Sequence, residues 1–227
     1  MKYFLIYISL IFCGFNSFSQ INELGVFVGG VNYIGDIGPT TYIAPNEPAI
    51  GIIYKWNRSP RHAYRFSYTQ GSLKSKDIDS DVPGRYLREN SFENSVKEFS
   101  AGLEFNFMDF DLHNSNNKIS PYVYSGISYF IYDEIYILNK TSKEDYQSST
   151  FAIPIMAGIK GRFFDNFIIG VEVGFRYTFT DNLDGSNPKN NNFETLRFGN
   201  LNSNDWYVFS GLTLTYTFGK NPCFCAK

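Results

Sequence analysis

Two glutamates of one stretch, Glu98 and Glu104, are the first residues of this sequence whose type suggests acid–base chemistry. They fall on the same face of an alternating apolar and polar segment, which indicates a β-strand. Six residues of strand span about 20 Å, whereas the paired carboxyl groups of glycosidases lie within about 10 Å of each other. We therefore interpret both side chains as structural, and we predict no catalytic residue, no cofactor and no small-molecule substrate.

Two groups of aspartates have the oxygen-ligand character of calcium loops. One group comprises Asp77, Asp79 and Asp81, and the other comprises Asp181 and Asp184. Neither stretch has the twelve-residue ligand set, ending in glutamate, that holds calcium in an EF-hand. We expect solvated surface loops at both places, and we predict no metal site.

The stretch 206–218, WYVFSGLTLTYTF, shows which element positions the other side chains. Its apolar residues fall on one face and its hydroxylated residues on the other, which is the period of a β-strand. From Trp206 to Tyr216 the strand is about 33 Å long. Tilted by about 40°, it rises about 25 Å, which is the height of the apolar band of an outer-membrane barrel with aromatic residues at each edge.

The same alternation recurs along the chain and predicts eight strands. The predicted strands are 22–35, 49–57, 64–69, 96–108, 119–133, 151–160, 169–179 and 206–218. We expect a loop over residues 134–149, and a bulge at Pro154, because proline cannot donate a ladder hydrogen bond.

The connections between these strands alternate in length. The first, third, fifth and seventh are long and the others are short, which is typical of outer loops and periplasmic turns. The chain also contains 17 tyrosines and 23 phenylalanines. Together, the strand count, the connection lengths and this aromatic content predict an eight-stranded antiparallel transmembrane barrel of the small outer-membrane type. Both termini then lie in the periplasm, and side chains fill the interior, so no open pore is expected. A soluble calyx of similar strand count is the alternative fold, although its outward apolar residues would aggregate in water.

Charged residues on the opposite faces of these strands are expected to point into the barrel. Buried charges are tolerated when they pair with one another. The predicted interior network consists of Lys55, Arg65, Glu98, Glu104, Glu172 and Arg176.

The first 19 residues differ from the rest of the chain. They contain one lysine, an apolar run and small residues near the end, which indicates a cleaved signal peptide. An alternative is a lipoprotein processed at Cys13. The predicted organisation is a signal peptide at 1–19, a barrel at 20–218 and a short periplasmic tail at 219–227. The net charge of −2 gives no reason to expect nucleic acid as a partner.

The tail contains Cys223 and Cys225. A pair with one intervening residue forms a disulfide only in a strained loop, and two thiolates alone make an incomplete metal site. An oxidised pair and an inert tail both remain open, and we assign these cysteines no chemistry.

One short turn is basic, with Arg58, Arg61 and His62 close together. In the predicted topology it faces the periplasm. It suits docking of an acidic partner and equally suits orientation of the barrel at the inner leaflet. Both histidines, His62 and His113, fall in predicted periplasmic turns, whereas barrel enzymes of the outer membrane work at the opposite rim. A histidine base is therefore not expected.

Several segments resemble the PorG-like family of outer-membrane barrels from Bacteroidota. They are ELGVFVGGVNYIGD at 23–36, KWNRSPRH at 55–62, PYVYSGISYF at 121–130, the pair Asn204-Asp205 before Trp206, and TFGKNPCFCA at 217–226. The resemblance covers essentially the whole chain after residue 19. It implies a component of type IX protein secretion that anchors periplasmic ring lipoproteins, PorK with PorN, to the outer membrane.

The resemblance carries no catalytic motif. It implies a contact surface for periplasmic partners at Arg58, Arg61, His62, Phe163 and Phe164, together with the segment 222–225. An alternative function is a free-standing barrel for envelope integrity or for surface adhesion through its long outer loops. A fold of this kind serves many functions, so the choice depends on the surfaces.

Overall fold

The computed structural model describes residues 21–112, 119–164 and 166–219. The predicted signal peptide, His113, Cys223, Cys225 and the segment 222–225 lie outside the described residues.

In these ranges, eight strands form a closed barrel in which each strand pairs antiparallel with the next. The strands are β1 (Ile21–Ile34), β2 (Glu47–Asn57), β3 (His62–Lys76), β4 (Ser91–Asn106), β5 (Ile119–Leu138), β6 (Thr141–Phe164), β7 (Phe167–Thr178) and β8 (Trp206–Phe218). Pairing of β1 with β8 closes the ring. The predicted eight-stranded antiparallel barrel is confirmed.

The strands are strongly staggered. A row of paired residues that leaves β5 at Ile131 crosses every strand and returns to β5 at Pro121, ten positions earlier. Such a stagger tilts the strands of an eight-stranded barrel by about 40° to its axis. The narrow interior that results is filled by side chains, because eight strands leave no wider space.

Small residues allow the strands to approach closely at one point of the wall. Gly102 of β4 is paired with Gly126 of β5. A Cβ atom on Gly126 would lie 2.1 Å from the carbonyl oxygen of Ala101. A larger residue at this position would therefore push the two strands apart.

The two ends of the barrel differ, and we name them by their connections. The turn end carries the β2–β3, β4–β5 and β6–β7 connections, together with the start of β1 and the end of β8. The loop end carries the other four connections. These include a short helix, α1 (Pro83–Arg88), and two 3₁₀ turns (Asp77–Asp79 and Asn191–Leu196). Among the described residues, no helix has the length and hydropathy that would let it cross a membrane.

The predicted loop over 134–149 is wrong. Residues 134–149 instead form a β-hairpin, because β5 and β6 continue to a two-residue turn at Asn139 and Lys140. Both turn residues have positive φ, 52° and 69°, as a type I′ hairpin turn requires. The register shifts by one residue where Glu134 and Ile135 pair with β6, which leaves Asp145 as the extra residue. This bulge breaks the alternation and explains why the sequence pattern did not indicate strands.

The predicted bulge at Pro154 is also wrong. On either side of the proline, Ser125 pairs with Ile155 and Ser128 pairs with Ala152 in one constant register. The other neighbour, β7, pairs Arg176 directly with Pro154. The missing N–H removes a donor from the ladder without inserting an extra residue, so the strand stays in register.

Candidate functional site

The interior contains a network of buried charges. The structure places all six residues of the predicted network inside the barrel, each no more than 4% exposed. Two further charged residues, Glu23 and Lys160, are equally buried there. These eight side chains are four basic and four acidic, so the formal charge of this network is zero.

Glu104 is the centre of one cluster. Its carboxylate lies 2.8 Å from Lys55 Nζ and 2.5 Å from Lys160 Nζ. Arg65 Nη1 is 3.7 Å from the same carboxylate. Three cations therefore surround one anion, and Glu172 of the neighbouring cluster offsets one of the two excess positive charges.

Glu172 forms that neighbouring cluster. It accepts two hydrogen bonds from the Arg65 guanidinium, at 2.8 and 2.7 Å, in a bidentate pair. The hydroxyl of Tyr122 donates a further hydrogen bond of 2.5 Å to Glu172. Bidentate arginine–carboxylate pairs fix geometry as well as charge, so Arg65 holds the two clusters together.

Glu98 and Arg176 form a separate pair nearer the loop end. The guanidinium nitrogens of Arg176 lie 3.2 to 3.3 Å from Glu98, and the guanidinium lies over the ring of Phe209 at 4.6 Å. Tyr207 donates a hydrogen bond of 2.6 Å to the same carboxylate. Glu98 and Glu104 thus have different partners and do not act as a carboxylate pair.

Glu23 is held by neutral donors. Asn57 Nδ2 and the hydroxyl of Thr215 each donate a hydrogen bond of 2.8 Å to it. The four carboxylates of this network are therefore all engaged by protein donors. This arrangement stabilises a filled interior, and the carboxylates lack the free access that an acid or base catalyst needs.

A loop segment closes the barrel at the loop end. We call residues 182–188 the plug, because six of its seven residues are buried. Asn182 donates a hydrogen bond of 2.5 Å to Glu134. Asp205 accepts one of 2.8 Å from the backbone N–H of Leu183 and another from the hydroxyl of Tyr33. The backbone N–H of Ile37 donates to Asp184 at 3.1 Å. The plug is thus bonded to the β1–β2 loop, to β5 and to Asp205, which directly precedes β8.

The aspartates at the plug are mostly buried, which corrects the expectation of solvated loops. Burial raises the pKa of Asp184 and Asp205, and their mutual proximity raises the pKa of Asp205 further. Burial, together with the charges of Asp36 and Asp184, raises the pKa of Asp181 to about 6.

Asp77, in the other aspartate group, is fully buried. It accepts hydrogen bonds from Arg88 at 2.6 and 2.9 Å and from the backbone N–H of Gly38 at 2.9 Å. Within the described ranges, no group of three or more His, Cys, Asp or Glu side chains is arranged to hold a metal ion.

The residues expected to contact a periplasmic partner lie at the turn end, in two separate places. Arg58, Arg61 and His62 are exposed at the β2–β3 turn, where Arg61 Nε lies 2.5 Å from Asp109 Oδ1. Phe163 and Phe164 are 61% and 64% exposed near the β6–β7 turn. The strand order puts these turns on opposite sides of the barrel, so the two groups do not form one patch.

The outward face of the wall is apolar over its whole height. Aromatic pairs occur near both edges, with centroid distances between 4.9 and 5.4 Å. Near the turn end they are Trp56–Tyr64 and Phe167–Tyr216, and toward the loop end they are Tyr177–Trp206 and Tyr129–Phe151. Between these edges lie exposed aliphatic residues such as Val171, which is 56% exposed.

Solved structures with a similar fold are small barrels. The attachment invasion locus protein Ail of Yersinia pestis is 11% identical, covers 88% of this chain and 99% of its own, and gives a TM-score of 0.46. The N-terminal β-barrel domain of OprF from Pseudomonas aeruginosa is 14% identical over 88% and 99% of the two chains, with a TM-score of 0.45. The outer membrane protein OprG from Pseudomonas aeruginosa is 9% identical over 88% and 95%, with a TM-score of 0.43.

Sequence comparison gives the family but no function. No curated protein matches the chain. The family described as "Domain of unknown function (DUF6089)" matches residues 2–227, which is nearly the entire sequence. The chain therefore belongs to the DUF6089 family.

Proposed function

We propose that this protein is an outer-membrane barrel whose wall crosses the bilayer. The outward residues of β7 are apolar from Phe167 to Tyr177, which is about 33 Å of strand. At a tilt of about 40° this gives about 25 Å of height, the thickness of the apolar band in outer-membrane barrels. In water, so large an apolar surface would drive aggregation. The turn end and both termini then face the periplasm.

The observation that best supports a structural role is the filled interior. Paired charges occupy the middle of the barrel, and the plug covers the loop end. A solute would have to break several buried ion pairs to pass, each a large energetic cost. We therefore propose that the protein acts through its surfaces, as an anchor or assembly component, and has neither channel nor enzyme activity.

We propose more specifically that the anchor serves type IX protein secretion. The resemblance to PorG-like proteins supports this assignment, and periplasmic ring lipoproteins of the PorK and PorN kind are the proposed partners. Exposed cations at Arg58 and Arg61 suit an acidic surface on such a partner. Phe163 and Phe164 suit a different task, since exposed aromatics at a barrel edge anchor it at the membrane interface.

Deletion of the gene in its own host tests the secretion role. Proteins with type IX export signals should accumulate in the periplasm of the deletion strain and return to the medium when the gene is supplied on a plasmid. Unchanged export in the deletion strain would contradict the secretion role and leave the barrel assignment intact.

The proposed contact surface has its own test. Arg58→Glu, combined with Arg61→Glu, should reduce the recovery of periplasmic ring lipoproteins with the tagged protein. Lys143→Glu is the matched control, because Lys143 is an exposed cation at the loop end. Equal recovery with all three proteins would remove the basic turn from the interface.

A second candidate function is surface adhesion, and the β5–β6 hairpin favours it. β6 begins at Thr141, whereas its pairing with β7 begins only at Ala152. The hairpin therefore extends past the end of β7 on the outer side. Shortening it to a direct turn between Tyr132 and Ser148, which are paired, should abolish cell-surface adhesion if this candidate is correct, without affecting export.

A further inference from the structure

An apolar groove lies on the outward face of the wall and is lined by residues of the five consecutive strands β2 to β6. Its volume is about 530 Å³, and its lining includes Ile52, Phe66, Phe99, Ala101, Ile127 and Phe151. The groove exists because Ala101 is small while its neighbours in the paired row, Phe66 and Ile127, are large. This volume is in the range of ligand sites, roughly 300–1,000 Å³.

A single lysine stands at the loop end of this groove. Lys97 lies on the same face of β4 as Phe99 and Ala101, two and four residues before them. It is the first charged residue on that face when β4 is followed from the turn end, after Phe105, Leu103, Ala101 and Phe99. Four residues of a strand tilted by about 40° place the lysine roughly 10 Å above the alanine.

Neighbouring side chains show that Lys97 lies at the membrane boundary. Its paired residues are Gln70 on β3 and Ile131 on β5. The hydroxyl of Tyr68 donates to Gln70 at 3.1 Å, and the hydroxyl of Tyr129 donates to Ser149 at 2.8 Å. Both rings thus lie along the apolar wall while their hydroxyls point toward the loop end, as interfacial tyrosines do.

The acidic groups near Lys97 are engaged elsewhere. Glu93 lies 3.3 Å from Lys74, and Asp133 accepts a hydrogen bond of 2.9 Å from Ser95. Among the residues that the structure describes, Lys97 forms no ion pair. A free cation at the membrane boundary, above an apolar groove, is complementary to a molecule with an anionic head and a hydrocarbon chain.

We propose that this groove binds a phosphorylated membrane lipid of the leaflet at the loop end. Its phosphate contacts Lys97, and one acyl chain lies over Ala101. The inference rests on the proposed location in the membrane and not on the secretion role. Lysine binds phosphate as a point charge, and the interfacial position lets the ammonium reach the headgroup while its stem packs on the wall.

A second groove on the wall provides a matched control. It lies between β5 and β7, has a volume of about 970 Å³, and contains Ala157 among residues such as Ile159 and Val171. It offers more apolar surface than the first groove, but β6 carries no cation on that face toward the loop end, where Ile155, Ile153 and Phe151 follow. Filling it should leave phosphorylated lipid binding unchanged.

The test uses the full chain in phosphatidylcholine nanodiscs that contain bisphosphorylated lipid A as the probe. Retained probe is counted by native mass spectrometry after release from the nanodisc. Lys97→Gln should reduce retention roughly tenfold, because one charge-assisted contact is lost. Ala101→Phe should reduce it similarly by filling the groove, whereas Ala157→Phe should behave like the unsubstituted protein.

Two further measurements keep the result interpretable. The unsubstituted protein should retain little dephosphorylated lipid A. Its retention of that lipid should be no higher than the retention of the phosphorylated probe by Lys97→Gln. The gel migration of unheated samples reports whether each variant is folded. If Ala101→Phe does not fold, retention of the probe by the surface variant Lys97→Gln still tests the proposal.

Equal retention by Lys97→Gln and the unsubstituted protein overturns the proposal, and so does equal binding of the two probes. Release of the protein as a dimer, with the groove buried between copies, also overturns it. Because these readouts do not involve secretion, failure here leaves the export experiment unaffected, and failure of export leaves the lipid site unaffected.

Discussion

At the scale of single residues, Glu104 shows why the charged residues inside this barrel have a structural role. Its carboxylate balances Lys55 and Lys160 directly and lies 3.7 Å from Arg65. A buried ion pair is a weak source of net stability, but removal of one partner leaves an uncompensated charge in a medium of low dielectric. The interior is therefore sensitive to single substitutions even though the complete network has no formal charge.

Glu104→Gln is expected to destabilise the barrel by about 3–5 kcal/mol, because two buried lysines lose their counter-charge. The free energy of unfolding is measured by urea titration in lipid vesicles, followed by the fluorescence of Trp56 and Trp206. Glu144→Gln, an exposed position on the hairpin, should change it by no more than about 0.5 kcal/mol. Equal effects of the two substitutions would show that the network is not required.

Asp181 predicts a pH dependence of the loop that contains the plug. Its pKa is raised to about 6 in the folded protein, chiefly by burial, whereas the unfolded value is about 3.9. Between these values the folded loop binds more protons than the unfolded loop, so its stability falls as pH rises from about 4 to 6.

Amide hydrogen exchange of Leu183, corrected for the intrinsic effect of pH, should therefore show lower protection at pH 6 than at pH 4. Asp181→Asn should flatten this change, because the substituted side chain does not titrate. A profile that is the same in both proteins would assign the pH dependence to Asp184 and Asp205 instead.

Some members of the interior network could be predicted from the sequence and others could not. Residues such as Arg65 and Glu172 lie in the middle of clear alternating patterns, where the inward face is unambiguous. Lys160 also falls on the inward face of its strand. It lies at the end of an apolar stretch, however, and nothing in the sequence indicated that it pairs with Glu104. Glu23 lies at the start of β1, and its partners Asn57 and Thr215 are distant in sequence, so only the closed ring brings them together.

At the scale of elements, the sequence predicted the middle of the strands better than their extensions at the loop end. β8 has the predicted limits because its alternation is complete from Trp206 to Phe218. β3 and β4 extend further than predicted, to Lys76 and from Ser91. Beyond the apolar wall both faces of a strand meet water or loops, so the contrast between apolar and polar faces disappears. Backbone pairing continues without that contrast.

The hairpin turn offers a test at this scale. Lys140 has φ of 69°, a conformation that costs a residue with a Cβ about 1 kcal/mol relative to glycine. Lys140→Gly should therefore stabilise the hairpin relative to Lys140→Ala by about 1 kcal/mol. Both variants lose the exposed ion pair between Lys140 and Glu89, so the difference isolates the backbone term.

Amide hydrogen exchange over residues 134–149 measures this difference as roughly fivefold slower exchange in Lys140→Gly. Exchange that is faster in Lys140→Gly than in Lys140→Ala would contradict the type I′ turn.

At the scale of the whole molecule, the apolar side of the wall and the charged interior reverse the usual arrangement of a soluble protein. Paired charged side chains lie in the centre beside a cluster of buried apolar and aromatic residues such as Phe130 and Phe209. Large apolar residues such as Leu214 and Ile155 are exposed around the outside. The alternation of each strand specifies two faces, but only closure of the ring decides which of them is inside. The apolar faces were predicted to point outward because their height matches the apolar band of an outer-membrane barrel, and the charged faces inward because buried charges can pair there.

The environment of the wall can be tested by placing a charge on it. Val171 lies on the outward face of β7, 56% exposed, while Leu87 in α1 at the loop end is 78% exposed. If the wall faces lipid, Val171→Arg should destabilise the protein in vesicles by about 2–4 kcal/mol, as expected for arginine near the bilayer midplane. Leu87→Arg should have little effect, because water surrounds that side chain. Urea titration in vesicles measures both, and equal costs for the two arginines would mean that Val171 faces water and that the chain does not span a membrane.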